Sequence, residues 1–347
     1  MDEKEIKTNA QSSKSDVILQ VKALKTYFKT GSKKVVKAVE GVNFSLEHGK
    51  VLGIIGESGS GKSVTARSIL RIVEEPGYIA GGEIMFKGED LLKIPERRMK
   101  RIRGNEISMI FQDPTTSFNP YMTIGAQLME AYNAHTPSGE QKAKQEALRV
   151  LKLVGISNGE EILKKFPCEF SAGFRQRIFI AMAIILYPDV LIADEPTTSL
   201  GITIQAEIIE ALSDVQKKTG ISIIIITHDF GVVSQFSDNI LVMYAGRCVE
   251  SSPKKELLLR PKHPYTVGLI RSVPLLEARK TKRLKSIPGF PPDMSNVPPG
   301  CPFASRCEYA QEKCLKEIPE LREVEKNHLC ACHYPLDYDI NEDTELE

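Results

Sequence analysis

The sequence predicts an α/β fold organised around a parallel β-sheet, and three patterns in the 347-residue chain lead to that prediction. Short, continuous apolar runs are typical of parallel strands that helices cover on both faces. Four such runs occur, at 51–55, 190–193, 221–226 and 240–243. Alternating polarity between Val17 and Leu46 predicts the strands of an antiparallel edge. The stretch from about 121 to 187 has helical periodicity, which indicates a helical insertion within the α/β unit.

Length and composition allow about two domains. Hydrophobic residues make up 41% of the chain, which is enough for a sizeable core. The net charge of +1 excludes a global basic field that would attract nucleic acid. The longest apolar runs are far shorter than the roughly 18 residues that cross a bilayer. Since the polar opening segment also lacks the apolar core of a secretion signal, we expect a cytoplasmic location.

Changes in composition divide the chain into four segments. We expect a disordered tail over 1–15, an α/β unit over 16–255, a separate appendage over 256–335 and an acidic tail over 336–347. The appendage is rich in proline and holds five of the seven cysteines. In a chain without a secretion signal, such cysteines are more readily metal ligands or core thiols than a disulfide framework.

A phosphate-binding loop is the strongest motif. The segment 56-GESGSGKS-63 follows an apolar run and precedes a helix-compatible stretch, and it matches the pattern G-x-x-x-x-G-K-S/T. Its glycines let backbone N–H groups point at phosphate oxygens, Lys62 would reach the β- and γ-phosphates, and Ser63 would bind Mg²⁺. A glycine-rich turn that holds these residues by chance is disfavoured by the flanking strand. The predicted nucleotide-binding residues are Gly56, Ser58, Gly59, Ser60, Gly61, Lys62, Ser63 and Val64.

Two carboxylates end another apolar run, 190-VLIADEP-196. Asp194 is placed to hold the Mg²⁺ shell, and Glu195 to polarise the water that attacks the γ-phosphate. A solvated pair of acids at a strand end is the alternative. The phosphate loop favours the catalytic interpretation, because both features belong to nucleotide hydrolysis.

The phosphate loop, 109-MIFQDP-114, 170-FSAGFRQR-177, the ADEP strand and 226-ITHD-229 occur in the order and spacing of ATP-binding-cassette (ABC) ATPases, which this chain therefore resembles. The resemblance implies an ABC nucleotide-binding domain over 16–255, with a RecA-like parallel core, an antiparallel β edge and a helical subdomain at about 121–187.

The resemblance also implies individual roles. Gln112 would contact Mg²⁺ and the attacking water, and His228 the γ-phosphate. Phe28, or its neighbour Tyr27, would stack on adenine, although either could be a half-buried strand aromatic. The signature residues, which would serve ATP bound to a partner subunit, are Ser171, Ala172, Gly173 and Gln176.

Longer stretches such as GNEISMIFQDPTTSFNP, KHPYTVGLIRSVP and CPFASRC are similar to the D-type ATP-binding subunits of oligopeptide/dipeptide importers, the peptide/nickel group, over Val17 to Pro335. This implies a peripheral ATPase on the cytoplasmic face of a membrane. It would form a heterodimer with a second ATPase and dock on two membrane-spanning permease subunits fed by an extracytoplasmic solute-binding protein. A subunit that holds ATP without hydrolysing it is the alternative, whereas a soluble cassette acting on DNA or the ribosome is disfavoured. The sequence does not identify the solute.

Two motifs depart from the family pattern. Where the signature has L-S-G-G, this chain has Phe170-Ser171-Ala172-Gly173, and an added methyl group costs binding if the position needs a positive φ or close approach to phosphate. Where the D-loop has S-A-L-D, this chain has Ser199-Leu200-Gly201 and lacks the aspartate. We therefore expect a competent site at this chain's own phosphate loop and an impaired opposite site. The alternative is that alanine is tolerated and both sites work.

The cysteines of the appendage are separated by five, six and seventeen residues at Cys301, Cys307, Cys314 and Cys332. This spacing lacks the close pairs of structural zinc sites and leaves a metal or cluster and unligated thiols both open. The resemblance implies that these four hold a 4Fe–4S cluster. Such a cluster would stabilise the appendage by cross-linking it. Cys330 does not match the pattern and is interpreted as a bystander.

Overall fold

A computed structural model describes residues 17–31, 34–112, 117–198, 200–272 and 287–340. The predicted tail over 1–15 lies outside the described residues, and only 336–340 of the predicted acidic tail lie within them. The described chain contains an eight-stranded sheet and a four-stranded sheet. Among its helices, none is long and apolar enough to cross a membrane.

Five neighbouring strands of the larger sheet are parallel and extend to one of its edges. They are β3 (Val51–Ile55), β6 (Ile107–Ile110), β7 (Val190–Asp194), β8 (Ser222–Thr227) and β9 (Asn239–Tyr244). Their order is β9-β3-β8-β7-β6. The four apolar runs are therefore confirmed as parallel strands, and β6 is a fifth that its four-residue length conceals.

The run of isoleucines in β8 shows why these strands lack alternating polarity. Ile223 and Ile225 belong to the core on one face of the sheet, and Ile224 and Ile226 to the core on the other. All four side chains are fully buried. Each face of the strand therefore requires apolar residues, as expected for a sheet covered on both sides.

The smaller sheet is antiparallel. It consists of β1 (Val17–Thr30), β2 (Lys34–Glu47), β4 (Gly77–Phe86) and β5 (Glu89–Asp90), in the order β2-β1-β4-β5. The antiparallel strands predicted from Val17 to Leu46 are confirmed, but they form a separate sheet rather than an edge of the parallel one. The strand β4 adds to this sheet and was not predicted, because its glycine-rich sequence GYIAGG obscures the strand pattern.

Helices connect the strands. They are α1 (Lys62–Ile69), α2 (Glu96–Ile102), α3 (Ile124–Asn133), α4 (Glu140–Leu153), α5 (Gly159–Ile162), α6 (Ala172–Ala183), α7 (Ile202–Thr219), α8 (Phe230–Phe236), α9 (Lys254–Leu259), α10 (Pro264–Arg271) and α11 (Glu312–Lys316). The helices α3 to α6 follow one another between β6 and β7, without a strand among them. Helix α1 lies beneath the small sheet, where the Ser68 and Thr26 hydroxyls are hydrogen-bonded at 2.7 Å.

The C-terminal segment, described over residues 256–272 and 287–340, extends the larger sheet. Strand β10 (Arg247–Pro253) pairs with β9, and two further strands, β12 (His328–Cys330) and β11 (Arg322–Glu325), extend the edge. The fully buried carboxylate of Glu250 accepts hydrogen bonds from the N–H groups of Lys262 (2.6 Å) and His263 (3.0 Å). This segment is thus joined to the sheet, whereas the sequence predicted a separate appendage. The proline and cysteine content concealed its short strands.

Candidate functional site

The phosphate loop at residues 56–63 joins β3 to α1. Gly56 has a φ of 159°, and a Cβ there would lie 2.2 Å from the carbonyl oxygen of Met243. Gly61 has a φ of 99°, and its Cβ would lie 2.3 Å from the carbonyl oxygen of Ala38. Only glycine fits at these two positions, because the backbone of neighbouring elements closes against the loop.

Lys62 is buried under the loop, with an exposed fraction of 4%. Its Nζ donates to the carbonyl oxygens of Gly56 at 2.7 Å and Glu57 at 2.9 Å. Burial lowers the pKa of Lys62, and the nearby carboxylates of Glu195, Asp194 and Glu57 oppose that shift. The ammonium group is thus held in the loop at the position from which a phosphate oxygen would attract it.

Ser63 and Asp194 are brought together from α1 and the end of β7. The Ser63 Oγ donates to Asp194 Oδ1 at 2.8 Å. Burial raises the pKa of Asp194, as does the charge of Glu195, while the hydrogen bond from Ser63 lowers it. A hydroxyl and a carboxylate are the oxygen ligands that Mg²⁺ takes beside nucleotide phosphates. In the described ranges, no group of three or more His, Cys, Asp or Glu side chains could hold a metal ion on its own.

Glu195 is the centre of the site. Its Oε2 accepts hydrogen bonds from Gln112 Nε2 at 2.9 Å and from Thr198 Oγ1 at 2.7 Å. His228 Nδ1 lies 3.6 Å from its Oε1. The predicted trio of Glu195, Gln112 and His228 therefore lies together, because adjacent parallel strands β6, β7 and β8 end at one edge of the sheet.

The backbone of Glu195 is left-handed, with a φ of 48°. Such a conformation costs a non-glycine residue about 1 kcal/mol or more. The Glu195 N–H donates to the carbonyl oxygen of Ile226 at 2.8 Å, which ties the turn to the neighbouring strand. The strained turn directs the carboxylate toward the group of polar side chains rather than along the strand.

The two aromatic candidates for adenine stacking are neighbours in β1. The Tyr27 hydroxyl donates to Glu40 Oε2 at 2.8 Å, and its ring makes an edge contact with Tyr78 at 6.1 Å between centroids. Phe28 is half-buried, and its Cε1 would lie 2.6 Å from a Cβ on Gly77. The contacts of Tyr27 thus occupy its hydroxyl within the small sheet, whereas Phe28 has no polar group to satisfy.

Similarity to known proteins decides the family. A sequence model described as "ABC transporter" matches residues 39–198, and one described as "Oligopeptide/dipeptide transporter, C-terminal region" matches 249–314. The chain is 48% identical over 312 residues to the oligopeptide transport ATP-binding protein OppD of Bacillus subtilis strain 168, covering 90% of this chain and 87% of OppD. This chain belongs to the ABC transporter ATP-binding proteins.

Further comparisons agree. The dipeptide transport ATP-binding protein DppD of the same organism is 47% identical over 300 residues, covering 86% of this chain and 89% of DppD. The solved dimeric structure of the ATP-binding cassette MJ0796 bound to ADP and Pi has a TM-score of 0.61 and 22% identity, over 68% of this chain and 98% of that one. It shares the fold. This ABC protein is thus an ATPase by family, and ATP and Mg²⁺ are the ligands expected of it.

The signature residues of this ABC protein lie on α6. Ser171 caps the helix, since its Oγ accepts a hydrogen bond from the Phe174 N–H at 3.4 Å. Ala172 is the first helical residue, so its backbone does not need the positive φ that would disfavour a methyl group. A Cβ on Gly173 would lie 2.3 Å from Ile204 Cγ2, so this glycine permits the close packing of α6 on α7. Gln176 is buried, and its Oε1 has no hydrogen-bond partner among the described residues.

Only part of the D-loop lies within the described residues, because Ser199 is outside them. Gly201 precedes α7 as its N-cap, with a φ of −66° and no side-chain cap. A Cβ on Gly201 would lie more than 4 Å from every atom that the structure describes beyond its chain neighbours. An aspartate would fit there, so neither backbone conformation nor packing requires glycine.

The four cysteines of the predicted cluster line one cavity. Its wall also contains His263 and Phe303. Burial, together with the charges of the other cysteines in the cavity, raises the pKa values of Cys301 and Cys332 to about 11. Cys330 lies instead in β12, opposite Glu250 of β10.

Three further groups, which no sequence motif indicates, lie at the site. Thr198 bonds to Glu195 from the turn after β7. Arg306 bonds to Glu57 in the phosphate loop with both terminal nitrogens. The Tyr265 hydroxyl accepts a hydrogen bond from the Glu57 N–H at 2.9 Å. Thr198 lies near enough in sequence to Glu195 to have been considered, but nothing local points from Arg306 to a loop 249 residues away.

Proposed function

We propose that this chain is the ATP-hydrolysing subunit of a peptide importer, located on the cytoplasmic face of a cell membrane. The curated relatives, whose names describe oligopeptide and dipeptide transport, support this assignment, and so does the match to the C-terminal region of such transporters. It would work with two membrane-spanning permease subunits, an extracytoplasmic solute-binding protein and a second ATPase. The dimeric state of the similar cassette structure supports the pairing of two ATPases.

The arrangement around Glu195 carries the proposal for hydrolysis. Gln112 and Thr198 donate to one carboxylate oxygen, which leaves the oxygen beside His228 available to accept a proton from water. Lys62 would attract the phosphates from the loop. The hydrolysis step would break the bond between the β,γ-bridging oxygen and the γ-phosphorus while the water oxygen bonds to that phosphorus.

Bound Mg²⁺ would supply positive charge that stabilises the transferring phosphoryl group. Ser63 and Asp194 fit this role, because their oxygens meet at the mouth of the phosphate loop. Phe28 remains our candidate for adenine stacking, because it lacks the hydroxyl bond that holds Tyr27 in the small sheet.

The Glu195→Gln variant tests hydrolysis. We expect the assembled transporter to keep its affinity for MgATP and to lose turnover by about 100-fold or more, because the amide cannot accept the proton. Glu210→Gln, on the exposed part of α7, is the matched control and leaves turnover unchanged. Unchanged turnover in Glu195→Gln would favour a nucleotide-binding scaffold that does not hydrolyse ATP.

The signature and the D-loop support unequal ATP sites. Ala172 is exposed at the start of α6, where a helix N-terminus would approach the γ-phosphate of ATP on a partner subunit. A methyl group there limits close approach, although it does not strain the backbone. Gly201 lacks the carboxylate of the family pattern. We infer that the site formed by this chain's phosphate loop and its partner's signature hydrolyses ATP, whereas the opposite site turns over slowly.

A 4Fe–4S cluster held by Cys301, Cys307, Cys314 and Cys332 is the second element of the proposal. The common cavity supports it, because all four side chains line its wall and cysteine sulfurs are the ligands that such clusters take. In a cubane each thiolate binds a different iron, so these ligands need not converge on a single point. The cluster would fix the loops of the C-terminal segment rather than transfer electrons.

Iron and sulfide analysis tests the cluster. We expect about four irons per wild-type chain and thiolate-to-iron absorbance bands. Cys307→Ser should lose both and unfold at a lower temperature, because the loops lose their cross-link. The exposed Cys168 provides the matched control, Cys168→Ser, which keeps iron and melting temperature. Wild-type protein purified anaerobically without iron would refute the cluster.

A further inference from the structure

An ion pair links the phosphate loop to the C-terminal segment. Glu57 follows the first glycine of the loop, and its two carboxylate oxygens accept hydrogen bonds from Arg306 Nη1 at 2.7 Å and Nη2 at 3.0 Å. The Arg306 side chain is 4% exposed and that of Glu57 is 26% exposed. Such a two-pronged, largely buried pair fixes both the position and the orientation of the carboxylate.

Arg306 is itself held rigidly. Its Nε donates to the carbonyl oxygen of Pro288 at 2.8 Å, and Nη1 also donates to the Tyr244 hydroxyl at 3.3 Å. The guanidinium carbon lies 5.8 Å from the centre of the Tyr244 ring and 5.9 Å from that of Phe303. Because its contacts come from three separate parts of the chain, Arg306 has little freedom to move. It can therefore hold the phosphate loop in one position through Glu57.

The backbone of Glu57 is held as well as its side chain. Its N–H donates to the hydroxyl of Tyr265, a fully buried residue of α10, at 2.9 Å. On the other side, the carbonyl oxygens of Gly56 and Glu57 accept from Lys62. The direction of these peptide groups determines where the loop N–H groups point, and phosphate binding depends on that direction.

The charge of Glu57 gives Arg306 a second effect. A carboxylate in a phosphate-binding loop repels the triphosphate, and burial strengthens the repulsion. Arg306 compensates this charge at hydrogen-bond distance. Loss of Arg306 alone would leave an unpaired carboxylate beside the phosphates, which is worse for binding than the loss of both charges.

We propose that Arg306 is a positioning residue for nucleotide binding, which orients the phosphate loop and neutralises Glu57, so that the C-terminal segment controls the affinity for ATP. The inference rests on ATP binding at residues 56–63. It adds to the proposed function a residue outside the family's nucleotide motifs, in a segment between two cysteines of the proposed cluster.

The test measures the KM for MgATP and kcat of the assembled transporter. In Arg306→Met we expect KM to rise about tenfold or more, with kcat at saturating ATP within about twofold of wild type. Arg306→Lys should recover part of the loss, because it restores the charge but not the two-pronged geometry. Arg322→Met, an exposed arginine of the same segment, is the matched control and keeps KM unchanged.

A second substitution separates positioning from folding. Glu57→Gln in the Arg306→Met background should bring KM back to within about threefold of wild type, because it removes the uncompensated charge. An unchanged KM in Arg306→Met would overturn the proposal. So would a parallel loss of kcat that Glu57→Gln does not reverse, since that result indicates a merely structural arginine.

If Arg306→Met does not fold, Tyr265→Phe provides the measurement, since it removes only the acceptor of the Glu57 N–H. We then expect KM to rise about threefold with kcat maintained, and an unchanged KM would overturn the proposal. Wild-type transporter without affinity for MgATP would instead refute the proposed function itself, so the two failures are distinguishable.

Discussion

The phosphate-loop side of this ABC protein differs from its signature side in how closely its motif residues contact the rest of the fold. On the phosphate-loop side, Lys62 and Asp194 are buried and hydrogen-bonded to neighbouring elements. On the signature side, Ala172 and Gly201 are exposed, and an added Cβ on Gly201 would meet no described atom within 4 Å beyond its chain neighbours. A substitution of Lys62 or Asp194 leaves buried partners unsatisfied, whereas one of Ala172 or Gly201 costs this chain little.

This difference explains how the two departures from the family pattern can coexist with the ordered contacts around Glu195. Gly173 is a signature residue that packing within this chain does constrain. It is retained in the signature where its neighbour is not, and its absent Cβ lets Ile204 of α7 pack against α6. The residues kept on the signature side thus include one that the fold itself requires.

The largest expected effect is that of Lys62→Ala. We expect the affinity for MgATP to fall by about 100-fold or more, because a buried donor to the phosphates is lost. The carbonyl oxygens of Gly56 and Glu57 also lose their donor. Titration calorimetry of the purified chain measures the effect. Lys218→Ala, which removes only an exposed ion pair with Asp214, serves as the control. An unchanged affinity in Lys62→Ala would contradict the role of the buried lysine on the phosphate-loop side.

An intermediate effect is expected from Ala172→Gly. If the methyl group limits approach to the partner's γ-phosphate, its removal should raise ATP turnover of the assembled transporter by about threefold to tenfold. Glycine costs up to about 1 kcal/mol within a helix, so the melting temperature of the variant should be measured alongside turnover. Equal turnover in the variant and the wild type would show that alanine is tolerated at this position.

The smallest effect is expected from Gly201→Asp. Aspartate caps α7 and should stabilise the chain by a few tenths of a kcal/mol. Its carboxylate should raise turnover about twofold by restoring the family pattern of the D-loop. Gly201→Asn caps the helix equally well without the charge. If both variants change turnover alike, the effect comes from the cap and the carboxylate has no role.

The sequence allowed the parallel sheet and the position of the phosphate loop to be predicted because both produce local signals. Apolar runs indicated four strands. The phosphate loop matched a sequence motif, and its Gly56 and Gly61 are required because a Cβ at either position would clash with neighbouring backbone. The convergence of Gln112, Glu195 and His228 followed from the family resemblance. The ends of three adjacent parallel strands explain it physically.

Other features could not be predicted because they depend on contacts between distant segments. The bond from Arg306 to Glu57 spans 249 residues, and neither residue belongs to a pattern that points to the other. The two C-terminal strands are short and lie among prolines and cysteines, so the extension of the sheet was hidden. Thr198 required knowledge of the turn that follows the left-handed Glu195.

The most direct test of unequal sites compares two glutamate substitutions in the assembled transporter. One is Glu195→Gln in this chain, and the other is the corresponding change in the partner ATPase. We predict that Glu195→Gln removes most of the ATP turnover and that the change in the partner removes a much smaller share. Equal losses from the two substitutions would contradict the account.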